Sequence, residues 1–85
     1  MRLKDKTALI TGGARGIGLG FAREFVAQGA RVVIADINLE AAQKAAESIG
    51  PSASARKLDV TKVDDIVKVV GEVDAEFGGI DILVN

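Results

Sequence analysis

Hydrophobic positions in this chain switch between short continuous runs and a rhythm of three to four residues. Thr7, Ala8, Leu9 and Ile10 form a nearly all-apolar segment, the pattern of a parallel strand covered on both faces. A helix is predicted from about Ile17 to Gln28, with Gly29 where a left-handed C-cap belongs. β-Branched residues then make a second strand, Arg31 to Ala35. Asn38 can cap an Ala-rich helix from Leu39 to about Ile49, which Gly50-Pro51 ends. A less apolar third strand spans Ala53 to Leu58. Thr61-Lys62-Val63-Asp64 has the form of a capping box with Asp in place of Glu. Ile66, Val67, Val69, Val70, Val73 and Phe77 give the third helix its apolar face, and Gly78-Gly79 stops it before a fourth strand, Ile80 to Val84.

Strands separated by helices imply parallel pairing through right-handed crossovers, hence an α/β fold with an open twisted sheet. The first two helices should cover one face and the third alone the other. That leaves apolar sheet exposed, together with an Ile-Leu-Val edge on the fourth strand.

Between the first strand and the first helix lies Thr11-Gly12-Gly13-Ala14-Arg15-Gly16-Ile17-Gly18. Gly12, Gly16 and Gly18 allow a tight turn and let a phosphate approach the main chain without meeting a Cβ. The helix behind them aims unpaired N–H groups and its positive dipole end at the same place, so a pyrophosphate fits there. A nucleoside-triphosphatase loop would need Lys and Ser or Thr directly after the last Gly, but Leu19 and Gly20 follow Gly18. The spacing Gly-x-Gly-x-x-Gly also fits poorly, because Phe21 would occupy the third small position. What remains is Thr-Gly-x-x-x-Gly-x-Gly, at the head of a doubly wound, Rossmann-type sheet of expected order 3-2-1-4.

Composition narrows the classes. With 85 residues, 48% hydrophobic, and 11 basic against 12 acidic side chains, the chain belongs with globular proteins. A net charge of −1 offers no global attraction to nucleic acid or to an anionic membrane. No apolar run approaches the roughly 18 residues of a membrane span. Cysteine is absent, which rules out a disulfide framework or a cysteine-held metal and suits a cytoplasmic setting.

The glycine turn resembles that of the short-chain dehydrogenase/reductase family. Asp36 after the second strand, Asp59-Val60 after the third, and Ile80-Asp81-Ile82-Leu83-Val84-Asn85 match the same family in the same order. Within it, Met1-Arg2-Leu3, Ala14 to Gly18 and Ala35 to Glu40 are similar to bacterial short-chain sorbitol (polyol) dehydrogenases. The resemblance implies an NAD-dependent enzyme that oxidises a sugar alcohol or another secondary alcohol to a ketone and assembles as a homotetramer. It also implies that residues 1–85 form the dinucleotide-binding half of a single Rossmann domain, truncated before its catalytic half, because the family pattern continues past Asn85 with Asn-Ala-Gly.

Individual residues take roles accordingly. Asp36, 20 positions after Gly16, can accept hydrogen bonds from adenosine ribose hydroxyls and repel the extra phosphate of NADP. Arg15 leaves two readings open: a pair with Asp36, or attraction to a 2′-phosphate, which would favour an NADPH-dependent ketoacyl-type reductase. Ile17 reads as a backbone donor to phosphate and a core contact. The family resemblance sets Asp59 against the adenine through its side chain and Val60 through its main chain, and it makes Asn85 a cofactor contact that steadies the sheet. Catalysis in the family uses a Tyr-x-x-x-Lys pair with a Ser. This chain has no tyrosine, so no catalytic residue is assigned, and Ser48, Ser52 and Ser54 are expected far from the crevice. Asp64, Asp65, Glu72 and Asp74 read as solvated helix surface. A non-catalytic nucleotide-binding module stays open beside the enzyme readings.

Overall fold

In a computed structural model, which describes residues 2–12 and 14–85, strands and helices alternate along the chain. The elements are β1 (Thr7–Thr11), α1 (Gly16–Ala27), β2 (Arg31–Asp36), α2 (Leu39–Ile49), β3 (Ala53–Lys57), α3 (Val63–Phe77) and β4 (Ile82–Val84). Met1 and Gly13, which belong to the sequence motifs above, lie outside the described residues.

All strand pairs are parallel, in the order β3-β2-β1-β4. Alternate residues of the two central strands feed two cores. Ala8, Ile10, Val32 and Ile34 meet Ala22 of α1 and Ala42, Ala45 and Ala46 of α2 on one face. Leu9, Val33 and Ala35 meet Val69 and Val73 of α3 on the other. This is the doubly wound, Rossmann-type arrangement expected, with two helices on one side and one on the other.

The termini of the elements follow from named side chains. Gly29 has φ +97° and its N–H bonds Val26 O, while Ala30 N–H reaches Phe25 O, which together form a Schellman stop for α1. Asn38 caps α2 by accepting from Ala41 N–H at 3.0 Å. The capping box expected at Thr61 does not form: Lys62 is the N-cap of α3, and the Thr61 hydroxyl donates to Asp59 Oδ1 at 2.6 Å. A capping Thr would accept from a helix N–H, but the cap lies one residue later, at Lys62, and the Thr61 hydroxyl is left to donate to the Asp59 carboxylate. Val67, expected on the inner face of α3, is 66% exposed. Ile66, Val69, Val70, Val73 and Phe77 keep the spacing of one stripe, and Val67 lies about 100° off it.

At the base of the sheet, Asp81 accepts from Thr7 N–H at 2.9 Å through its side chain and donates its own N–H to Thr7 O, fixing the register of β4. No helix among the described residues is long and apolar enough to cross a membrane.

Candidate functional site

The carboxyl ends of all four strands lie along one rim, and the chain order reverses between β1 and β4. An open parallel sheet has its crevice at such a switch point, because the two connections leave in opposite directions. A cleft of about 590 Å³ lies there, lined by Leu9, Thr11, Gly12, Leu58, Val60, Ile66, Val70, Leu83 and Asn85. Its walls are almost wholly apolar, suited to a flat base or ring. A larger groove, about 800 Å³, runs from Ile37 and Lys57 to Asp64 and Lys68, but it includes no residue of the glycine turn.

The turn itself is shaped by two left-handed glycines. Gly12 has φ +64° and Gly16 φ +56°, conformations that a Cβ would strain, and among the described residues no heavy atom outside the adjoining backbone lies within 4 Å of where either Cβ would stand. The space in front of the backbone is therefore open to a ligand. Gly12 N–H bonds Ala35 O at 2.8 Å and ties the turn to the end of β2. Arg15, extended at φ −149°, is the N-cap of α1, and its side chain makes no capping bond. With no acidic residue in the first turn, the amides at Ile17 and Gly18 face outward at a dipole end that favours an anion. Ile17 is 80% exposed and makes no core contact, contrary to expectation. It occupies the first turn of α1, ahead of Leu19, Ala22, Phe25 and Val26, which carry the packing of that helix on the sheet.

Asp36 ends β2, half-buried. Its Oδ1 accepts from Asn38 N–H at 3.0 Å, and among the described residues its Oδ2 has no hydrogen bond. Nor do the ion pairs among the described residues join it to Arg15, which is exposed.

Asp59 lies just beyond β3, where Leu58 N–H makes a final bond to Asp36 O. Its Oδ1 accepts from both the hydroxyl and the N–H of Thr61, and these bonds hold its carboxyl below the ordinary value, with smaller help from Lys62 and Lys57. Val60, next in the chain, is exposed on the cleft wall. At the opposite wall the Thr11 hydroxyl lies 3.1 Å from Asn85 Oδ1 and 3.3 Å from Val84 O, so β1 and β4 are joined at the rim.

Gly12, Val60 and Asn85 thus share one cleft and Asp59 borders the neighbouring groove, whereas Asp36 lines neither and is tied to the cleft residue Leu58 through its main-chain oxygen. One of the helix carboxylates expected on solvated surface is not, and a second, exposed as expected, is held in an ion pair. Asp65 is half-buried and accepts from Asp59 N–H at 2.7 Å, and Glu72 joins Glu76 in pairing with Arg56 of β3. Helical spacing gave no signal for either, since both partners come from elsewhere in the chain. Ser48 lies at the end of α2, where it accepts from Arg23 and donates to Ala45 O.

The family described as short chain dehydrogenase matches residues 6–85. Over its whole length the chain is 64% identical to galactitol 2-dehydrogenase of Agrobacterium fabrum and 60% identical to sorbitol dehydrogenase of Cereibacter sphaeroides, and covers 33% of each. It therefore spans about a third of the length of these relatives. Among solved structures, a hydroxysteroid dehydrogenase from Escherichia coli superposes with a TM-score of 0.93 at 38% identity, over 99% of this chain and 37% of that one. A 3-ketoacyl-(acyl-carrier-protein) reductase from Brucella melitensis, complexed with NADH, gives 0.90 at 41% identity, over 95% of this chain and 33% of that one.

Proposed function

This chain belongs to the short-chain dehydrogenase family, and from that membership we propose that it is the NAD-binding portion of an oxidoreductase acting on a polyol or another secondary alcohol. The observation that carries the reading is the Asp36 carboxylate at the end of β2, with Ile37 rather than a cation beside it. A ribose carries two hydroxyl donors, and an ionised carboxylate with an unused oxygen accepts them well. A 2′-phosphate at the same point would meet like charge.

The residues present fit the dinucleotide. The amides of Ile17 and Gly18, with the open backbone at Gly12 and Gly16, take the diphosphate, and Arg15 stands at the rim of the same turn. Asp36 takes the adenosine ribose. Asp59 and Val60 border the adenine, and Asn85 with Thr11 closes the side toward β4. When bound, the nicotinamide supplies the hydride acceptor. The chain's own part is to hold the cofactor in register and to keep water from its apolar walls. Substrate-binding and proton-transferring groups are assigned outside residues 1–85, which form the cofactor-binding portion and span about a third of the length of the relatives. Support for a polyol comes from the identities of 64% and 60% to the galactitol and sorbitol enzymes. Family resemblance alone supports a cytoplasmic homotetramer.

A second reading rests on Arg15, exposed and outside the ion pairs found among the described residues. A free guanidinium in the turn could meet a 2′-phosphate, as an NADPH-dependent ketoacyl-type reductase would require. The test is steady-state oxidation of galactitol and sorbitol by the full-length enzyme, followed by NADH absorbance. Turnover with NAD and little with NADP is expected. Ketoacyl reduction that depends on NADPH, with no polyol oxidation, would establish the second reading. Cofactor binding without turnover on either class would favour a non-catalytic module.

A further inference from the structure

We propose that Asp65 is the positioning residue for the adenine end of the cofactor, an inference that rests on the reading of Asp59 and Val60 given above. The β2–β3 ladder ends with Leu58 N–H on Asp36 O, and Asp59 N–H, next in the chain and outside the ladder, needs an acceptor from elsewhere. Asp65 Oδ2 accepts it at 2.7 Å, the short distance of a charge-assisted bond. Asp59's own Oδ1 is committed to Thr61. The two acids therefore divide the work: Asp59 closes the turn on itself, and Asp65 fastens that turn to α3.

Asp65 is well built for this. It stands in the first turn of α3, beside Ile66 and one turn before Val69, and Val69 and Val73 anchor the helix in the core beneath. Its neighbour Asp64 is exposed and takes no part. Because the bond is to main chain, it sets where the backbone of Asp59 and Val60 lies, and Val60 is the residue whose main chain would meet the base.

The experiment is kinetics of the full-length enzyme with Asp65→Ala, Asp65→Ser and Asp65→Asn, each with its melting temperature. Loss of a charged acceptor should raise KM for NAD and Ki for AMP by about tenfold in the Ala variant, with kcat unchanged. Asp65→Asn retains an acceptor oxygen and should stay within about threefold of wild type. Should the Ala variant not fold, Asp65→Ser, too short to reach Asp59 N–H, gives the same reading. Folded Ala or Ser variants with unaltered KM and Ki would overturn the proposal, and so would an equal fall in kcat or an Asn variant as impaired as Ala. A wild-type enzyme that neither uses NAD nor is inhibited by AMP would overturn the cofactor reading and this inference with it.

Discussion

At Asp59 one oxygen does two jobs, accepting the hydroxyl and the N–H of Thr61, and those bonds lower its pKa from the ordinary 3.8. A carboxyl depressed by folding contributes its stability above the unfolded value and loses it as pH falls through the lower, folded one. The β3–α3 turn should therefore hold unchanged down to about pH 4 and loosen only in stronger acid. NMR of the Thr61 amide against pH would show this as a shift confined to that acid window, and Asp59→Asn should abolish it. A Thr61 shift centred near neutral pH would contradict the assignment. Ile17 teaches a different lesson at the same scale. Its apolar side chain looked like core from sequence, yet it lies in the open at the first turn of α1.

Among the elements, α1 is the least expected helix on propensity, since Gly16, Gly18 and Gly20 fall within its first five residues. Packing of Ala22, with Leu19, Phe25 and Val26 beside it, holds it on the sheet. The glycines are not equivalent. Gly16 needs φ +56°, whereas Gly20 has no such requirement and open space where a Cβ would stand. Gly16→Ala should destabilise by about 1 kcal/mol or more through left-handed strain. Gly20→Ala should stabilise by about 0.5–1 kcal/mol. Urea denaturation of both variants checks the contrast, and the opposite order would mean that Gly20 is there for a close approach of backbone or ligand. Element identities were legible in the sequence because each segment kept one period and carried its own boundary signal, a start at Asn38 and stops at Gly29 and Gly78. The start of α3 was not, because its N-cap, Lys62, makes no side-chain bond and the turn before it is held by Asp59 and Asp65, six residues apart, rather than by a local Thr-x-x-Asp.

Across the whole molecule, the order β3-β2-β1-β4 gathers residues that are distant in sequence onto one rim. Gly12, Val60 and Asn85 reach the same cleft because three parallel crossovers return every strand in the same direction. The place of the glycine turn before α1 and of Asp36 at the end of β2 could be read from spacing alone. The apolar walls could not, because Leu9, Leu58 and Leu83 read as core or edge residues until the strands are ordered. Leu83 remains 57% exposed on the face that α3 covers only in part, as the count of one helix against two foretold.

The central claim is that Asp36 selects the cofactor, and equilibrium titration of NADH and NADPH into wild-type and Asp36→Ala full-length enzyme tests it most directly. Wild type should prefer NADH. Removal of the carboxylate should weaken NADH by about tenfold to a hundredfold, the worth of hydrogen bonds to a charged group, and narrow the gap to NADPH. Equal NADH affinity and unchanged discrimination in the variant would show that Asp36 only shapes the turn before α2.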